Sequence, residues 1–97
     1  MHEVSPTELK QLLDSNADIQ IIDIREDYEY SDFNLGGKNI PLDSVLSNFD
    51  KSNAKRTIFI CNSGKRSSAI VRTLRVKHQL NNIFSLKGGL EKYLEEN

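Results

Sequence analysis

Two short apolar runs constrain the fold of this chain more than any other feature of its sequence. Residues 19–24 read Ile-Gln-Ile-Ile-Asp-Ile, and residues 58–60 read Ile-Phe-Ile. β-Branched and aromatic residues favour strands, and a nearly continuous apolar run indicates a strand that is buried on both faces. Because such strands occur in parallel sheets covered by helices, these runs predict an α/β architecture.

Weaker patterns complete an alternation of strands and helices. Residues 5–8, Ser-Pro-Thr-Glu, form a capping box that predicts a helix start, with Ser5 as the N-cap residue. The sequence predicts strands at 2–4, 19–24, 38–41, 58–60 and 83–86, each followed by a helix. Inward-facing anchors on the later helices are predicted at Tyr28, Phe33, Leu42, Val45, Leu46, Phe49, Leu90, Tyr93 and Leu94. We therefore expect one three-layer α/β/α domain over residues 1–97, with a five-stranded parallel sheet and helices on both faces.

Length and composition limit the functional classes. Ninety-seven residues make one domain with a modest core. The single cysteine allows no internal disulfide, which favours a reducing compartment, and we expect a cytoplasmic protein. No apolar run approaches the roughly 20 residues of a membrane span, and the N-terminus lacks the basic-then-apolar pattern of a signal peptide. We expect no metal and no organic cofactor, and neither nucleic acid nor membrane as a partner.

The cysteine follows the central predicted strand. Cys61 precedes a loop of small, polar and basic residues: Asn62, Ser63, Gly64, Lys65, Arg66 and Ser67. Apolar residues at helical spacing start at residue 69, so the loop leads into a helix N-terminus, where free N–H groups and the helix dipole favour negative charge. Lys65 and Arg66 add two full charges, which predicts a reactive thiolate rather than an inert core thiol. Gly64 lets the loop curl its N–H groups inward around an anion.

Charge is unevenly distributed along the chain. The net charge is −1, but residues 51–90 contain no Asp or Glu. That segment holds nine of the 13 Lys and Arg residues: Lys51, Lys55, Arg56, Lys65, Arg66, Arg72, Arg75, Lys77 and Lys87. This basic segment predicts a positive face around Cys61 that attracts an anionic substrate or an acidic partner. Away from the cysteine, an ordinary solvated helix surface is an equally good interpretation.

Four local patterns occur in order along the chain. Residues 21–26 follow an apolar-Asp-apolar-Arg-Glu pattern, and residues 35–41 follow a Gly-Ala-x-x-Ile-Pro pattern approximately. Residues 61–67 read Cys-x-x-Gly-x-Arg-Ser, and residues 86–89 end in Gly-Gly. Together, over nearly the whole chain, they resemble single-domain sulfurtransferases of the rhodanese type. The resemblance implies a parallel sheet with strand order 1-5-4-2-3.

The resemblance also implies a mechanism. Cys61, as a thiolate, is expected to take the outer sulfur of thiosulfate or of a protein persulfide and so to become a persulfide. The N–H groups from Asn62 to Ser67 are expected to hold the terminal sulfur before it passes to a thiol, to cyanide or to an acidic sulfur-carrier protein. Asp23 and Arg25 are candidate supporting residues, with Asp23 satisfying backbone donors at its strand end. Arg66 either binds an anionic donor or locks the loop through a carboxylate such as Asp23 or Glu26.

Three alternatives stay open. Cysteine phosphatases of the cell-division-cycle type use a similar loop with one more residue between Cys and Arg, whereas four residues separate Cys61 from Arg66 here, which fits a smaller sulfur atom. Binding modules of the same fold usually lack the cysteine. The chain also resembles rhodanese domains of ubiquitin-activating-like enzymes that deliver sulfur to carrier proteins in molybdopterin and thiamine pathways. The sequence does not decide between such a domain and a free-standing protein.

Overall fold

A computed structural model describes residues 2–50 and 55–96 of the chain. In this part of the chain, strands and helices alternate as the sequence predicts. The elements are β1 (Glu3–Val4), α1 (Pro6–Asp14), β2 (Ile19–Asp23), α2 (Asp27–Asp32), β3 (Lys38–Asn39), α3 (Leu42–Asn48), β4 (Arg56–Ile60), α4 (Lys65–His78), β5 (Ile83–Leu86) and α5 (Gly89–Glu96). Strands β1, β2 and β3 are one or two residues shorter than predicted, β5 has the predicted range, and β4 begins two residues before its predicted start.

The five strands form one sheet in the order β1-β5-β4-β2-β3, and every neighbouring pair is parallel. The predicted sheet and strand order are therefore confirmed. Strand β4 is in the middle, with Phe59 opposite Ile22 of β2 on one side and Ile58 opposite Phe84 of β5 on the other. Because the carboxyl ends of parallel strands meet at one edge, the residues after β4 lie where α/β proteins bind ligands.

Alternate side chains of the strands enter two separate cores, which produces the three layers. On one face, Ile22 and Phe59 belong to a core cluster with residues of α3 and α4, and the Phe49 and Phe59 rings meet edge-on with their centroids 5.3 Å apart. On the other face, Ile21 and Ile58 belong to a cluster with residues of α1 and α5. The apolar runs 19–24 and 58–60 are thus buried on both faces of the sheet.

The N-terminal cap of α1 matches its prediction. The Ser5 hydroxyl accepts a hydrogen bond from the Glu8 N–H at 3.0 Å, and the Glu8 carboxylate accepts one from the Ser5 N–H at 2.9 Å. The hydrogen bonds from Ser5 to the ionised carboxylate hold the pKa of Glu8 below its usual value. This reciprocal pair fixes where the chain turns from β1 into α1.

Four of the predicted anchors are wrong. Tyr28 and Phe33 are 71% and 45% exposed, and Leu46 and Leu94 are 43% and 52% exposed. Helix α2 has six residues and buries none of them, so it lacks the apolar face that the prediction gave it. A short helix without a buried face needs other attachments, and these are polar.

Two hydrogen bonds attach the C-terminal half of α2 and its C-cap residue to the rest of the chain. The Tyr30 hydroxyl donates to the Gly37 carbonyl at 2.7 Å. The Arg25 guanidinium donates to the Phe33 carbonyl, also at 2.7 Å. Polar anchoring leaves the apolar side chains of this helix exposed on the side of the molecule where Cys61 lies.

Candidate active site

Cys61 is the first residue after β4, and only 4% of it is exposed. Its Sγ accepts hydrogen bonds from the Gly64 N–H at 3.1 Å and from the Ser67 N–H at 3.4 Å. Gly64 has a φ of +88° and serves as the N-cap of α4. The loop therefore curls around the sulfur as predicted, and the N-terminus of α4 lies against it, which favours a negatively charged sulfur.

A chain of two buried hydroxyl groups ends at the same sulfur. Ser67 Oγ lies 3.4 Å from Cys61 Sγ, and Ser85 Oγ on β5 lies 2.7 Å from Ser67 Oγ. Both serines are fully buried, and within the described residues Ser85 Oγ has Ser67 Oγ as its one hydrogen-bond partner. Either hydroxyl group can be the donor in this pair. When Cys61 is a thiolate, which can only accept, both buried hydroxyl protons have acceptors if Ser85 donates to Ser67. The Ser67 proton is then free to donate to Cys61 Sγ or to the Gly64 carbonyl 3.3 Å away.

The sequence analysis missed Ser85. Its signal in the sequence is weak: one small polar residue in the apolar run Ile83-Phe84-Ser85-Leu86. Alternation along β5 directs the side chain of Ser85 to the face of the sheet on which α4 packs. Proximity to the cysteine loop follows only from the position of β5 beside β4.

The first turn of α5 holds the loop through backbone hydrogen bonds. The Leu90 N–H donates to the Cys61 carbonyl at 2.9 Å, and the Glu91 N–H donates to the Asn62 carbonyl at 3.0 Å. A Cβ atom on Gly64 would lie 2.9 Å from the Gly88 nitrogen, which is closer than real Cβ contacts. A Cβ atom on Gly89, the second residue of the Gly-Gly segment, would collide with the Asn62 carbonyl, so glycine is needed on both sides of this close backbone approach.

Asp23 and Arg25 form a buried ion pair at the end of β2. The Asp23 carboxylate accepts from the Arg25 guanidinium at 2.9–3.2 Å and from the Arg25 backbone N–H at 3.0 Å. The side chains are only 2% and 8% exposed, and the hydrogen bonds to Asp23 raise the pKa of Arg25. The expectation that Asp23 satisfies a backbone donor is confirmed. Arg25 is the ion-pair partner of Asp23, so the predicted ion pair between Arg66 and Asp23 is wrong. Arg66 forms no ion pair with any of the described residues.

A second link joins α2 to the loop. Asn62 Nδ2 donates to Glu29 Oε2 at 2.9 Å, while Glu29 Oε1 accepts from the Glu26 N–H at 3.2 Å. The hydrogen bond from Asn62 holds the pKa of Glu29 below its ordinary value. The sequence analysis did not identify Glu29, since 33 residues separate it from Asn62.

The cavity that contains Cys61 has a volume of about 510 Å³. Its basic lining residues are Arg25, Lys65 and Arg66. Its acidic lining residues are Glu26, Glu29, Asp43 and Glu91. The expected positive face is therefore wrong for this cavity: α4 supplies cations, and the elements across from it supply carboxylates. Lys51, the first residue of the basic segment, lies outside the described residues.

The described residues contain neither a metal-binding cluster nor a membrane-spanning helix. Within 2–50 and 55–96, no group of three or more His, Cys, Asp and Glu side chains is arranged to hold a metal ion. No helix in the same ranges is long and apolar enough to span a bilayer. The residues gathered around Cys61 are thus a sulfur nucleophile, hydrogen-bond donors and charged side chains.

The fold and the loop together define a class of protein: a three-layer α/β domain with a nucleophilic cysteine cradled at the carboxyl end of its central strand. The sequence profile of the rhodanese-like domain family matches residues 5–96. The chain belongs to this family, the rhodanese-like sulfurtransferases.

Individual relatives show how the domain is used elsewhere. The chain is similar to the tRNA uridine(34) hydroxylase of Acinetobacter baylyi, with 31% identity over 98% of this chain and 32% of that protein. It is 36% identical to the putative sulfur carrier protein YrkF of Bacillus subtilis, over 75% of this chain and 40% of that protein. It therefore spans less than half of either relative. A rhodanese-related protein of Thermoplasma volcanium has the same fold, with a TM-score of 0.82 and 22% identity over 100% of this chain and 94% of that one.

Proposed function

We propose that this protein is a sulfurtransferase that carries sulfur as a persulfide on Cys61. The observation that supports this most strongly is the pair of backbone N–H groups on Cys61 Sγ, from Gly64 at 3.1 Å and Ser67 at 3.4 Å. Preorganised donors stabilise the thiolate that attacks, and N–H groups of the loop from Asn62 to Ser67 stabilise the negative charge after it moves to the outer sulfur. No organic cofactor or metal enters this chemistry.

The transfer takes place in two balanced steps. The Cys61 thiolate attacks the outer sulfur of thiosulfate, the new S–S bond forms as the old one breaks, and sulfite leaves with the electron pair. A persulfide donor on another protein reacts in the same way and leaves as a thiolate. An acceptor thiolate or cyanide then attacks the terminal sulfur, and Cys61 leaves as a thiolate again. Neither step needs an external oxidant or reductant.

We further propose that the physiological donor or acceptor is another protein. One curated relative is named a putative sulfur carrier protein, and the chain matches only part of that relative, so transfer between protein domains fits this comparison. Delivery to a carrier protein, as in the molybdopterin and thiamine pathways, and a cytoplasmic location are parts of the same proposal. Lys65 and Arg66, both exposed in the cavity, are candidate contacts for an anionic group.

Phosphatase chemistry fits the site less well. Four carboxylates and three basic residues line the cavity, which opposes the capture of any small dianion, phosphate esters and thiosulfate alike, and so favours a protein persulfide as the donor. A phosphoryl group also needs donors for three equatorial oxygens, and the short loop between Cys61 and Arg66 closes on the sulfur itself. We expect negligible turnover of aryl phosphates.

Intact mass spectrometry tests the proposal. The protein is incubated with thiosulfate, or with cysteine persulfide as a carrier-like donor, and its mass is measured before and after cyanide is added. We expect a gain of one sulfur atom that cyanide removes, and no gain in the Cys61→Ser variant. If neither donor loads the unmodified protein, or if the Cys61→Ser variant loads equally well, the mechanism is wrong.

A further inference from the structure

Exposed apolar side chains cluster beside the cysteine cavity. Among the described residues, five large apolar side chains are conspicuously exposed, and three of them, Tyr28, Phe33 and Leu94, line one groove of about 420 Å³ between α2 and α5. The other two, Leu46 and Val76, lie elsewhere on the surface. Single exposed apolar residues are common, whereas a cluster in a concave surface is typical of an interaction site.

The groove is continuous with the cavity that contains Cys61. Five residues line both: Arg25, Tyr28, Glu29, Asn62 and Glu91. Asn62 directly follows the cysteine, and its side chain is fixed on Glu29 at 2.9 Å, so the shared wall is held in place. A chain segment seated in the groove therefore presents its neighbouring residues to the sulfur.

The charges of the groove indicate what it binds. Its wall carries the carboxylates of Glu29, Asp32 and Glu91, and its one basic residue, Arg25, is already paired with Asp23. A small anion such as thiosulfate is repelled by these carboxylates and gains nothing from the apolar wall. A segment with both an apolar side chain and a cation matches the groove.

We propose that this groove docks the cysteine-bearing segment of a sulfur-exchanging partner protein, a segment with an apolar residue and Lys or Arg close to its cysteine. The proposal rests on the proposed function for the identity of the reacting thiol, but docking itself needs no sulfur transfer. It also reverses the charge that the sequence predicted for the partner: next to α2 and α5 the partner is locally basic, whereas the cations of α4 lie on the opposite side of the cavity.

Peptide titrations followed by NMR test the docking. The Cys61→Ser protein, which cannot exchange sulfur, is titrated under reducing conditions with acetyl-Gly-Lys-Leu-Cys-Leu-Lys-Gly-amide and with the same peptide carrying Glu in place of Lys. We expect the basic peptide to bind about tenfold more tightly at low salt and to shift the amide signals of Tyr28, Phe33 and Leu94. Equal binding of both peptides, or shifts confined to α4, would overturn the proposal.

Matched variants separate the two components of binding. In the Cys61→Ser protein, Asp32→Lys removes a groove carboxylate and Leu94→Gln removes an apolar contact. Each substitution should lower the affinity for the basic peptide by about five- to tenfold. Their controls are Asp14→Lys, an exposed aspartate on α1, and Val76→Gln, an 82% exposed apolar residue on α4. Binding in the controls should stay within about twofold of the parent protein. Loss of binding in the controls to the same degree contradicts docking in the groove.

Two further results separate this inference from its alternatives. If sulfur loading fails but the basic peptide still binds in the groove, the proposed function is wrong and the docking surface stands. If loading succeeds and the groove variants bind like the parent, the docking surface is wrong. Sedimentation of the protein alone measures its oligomeric state. If the protein self-associates and Leu94→Gln abolishes the association, a second copy of the chain occupies the groove and the proposal is overturned.

Discussion

At the scale of single residues, the sulfur of Cys61 is surrounded by donors of two kinds. Backbone N–H groups of Gly64 and Ser67 are fixed by the start of α4, and their direction cannot change without unwinding the helix. The Ser67 hydroxyl, in contrast, can rotate between the sulfur and the Gly64 carbonyl. The buried hydroxyl of Ser85, when it donates to Ser67, polarises the Ser67 hydroxyl and makes it a stronger donor.

Ser85→Ala should therefore make Cys61 less reactive although Ser85 does not touch the sulfur. Without the hydrogen bond from Ser85, the Ser67 hydroxyl is less polarised and donates more weakly, so a thiolate on Cys61 loses stabilisation. We expect iodoacetamide to alkylate Cys61 about two- to tenfold more slowly at neutral pH, with the rate-against-pH curve moved to higher pH, since one hydrogen bond to a charged group contributes about 1 kcal/mol or more. Ser68→Ala, one residue along α4 from Ser67, is the control. An unmoved curve in Ser85→Ala would show that the hydroxyl chain is structural only.

At the scale of secondary-structure elements, the loop is held by its neighbours on two sides. The first N–H groups of α5 bind the loop carbonyls, and α2 binds the Asn62 side chain through Glu29. Helix α2 buries no residue, so polar links such as this one position it. The direct link between the loop and α2 thus depends on the charge state of one partly buried carboxylate, that of Glu29.

The Glu29–Asn62 link should respond to acid with a definite sign. Because the pKa of Glu29 is lowered in the folded protein from an ordinary value of 4.5, the link adds stability above that value and loses it as pH falls through the lowered pKa. In the Asn62→Ala variant, we expect the Glu29 pKa to rise back toward its ordinary value, measured by NMR titration of the side-chain carboxyl carbon. Glu8, whose pKa is lowered by Ser5 at the N-terminus of α1, provides the internal control and should not change. An unchanged Glu29 pKa would mean that Asn62 is not its principal partner.

At the scale of the whole molecule, the middle strand joins the two cores to the site. Phe59 of β4 is fully buried, meets Phe49 edge-on, and lies two residues before Cys61. Its removal therefore opens a void in the cluster that also contains Cys61 and α4.

Phe59→Ala should cost about 3–5 kcal/mol of the free energy of unfolding, a large part of the roughly 5–15 kcal/mol that a domain of this size has. Urea denaturation measures the loss, and Val76→Ala on the exposed face of α4 should change stability by no more than about 0.5 kcal/mol. If Phe59→Ala unfolds the protein outright, Phe59→Leu should show a smaller loss in the same direction. A loss below about 1 kcal/mol in Phe59→Ala would contradict the assignment of Phe59 to a close-packed core.

The sheet and the cysteine loop could both be predicted because each is encoded by residues that are adjacent in the sequence. Two apolar runs give the parallel strands, and the segment 61–67 contains the nucleophile, the glycine and the helix start. The mouth of the site was predicted with the wrong charge because it is assembled from distant segments. The acidic residues Glu26, Glu29 and Glu91 are far from Cys61 in the sequence. They line its cavity because the segment after β2 and the start of α5 lie next to the cysteine loop. Charge along a chain and charge around a cavity are separate quantities.

The two backbone N–H groups on the sulfur have one more consequence, for spectroscopy. The proton of an N–H group that donates to a charged atom is sensitive to where that charge resides, and in a persulfide the charge moves one atom outward from Cys61 Sγ. We therefore expect the amide resonances of Gly64 and Ser67 to report the sulfur loading that we propose. Their positions distinguish thiol, thiolate and persulfide in a single spectrum, so that the filling and emptying of the site can be followed in real time with any donor or acceptor, coloured or not.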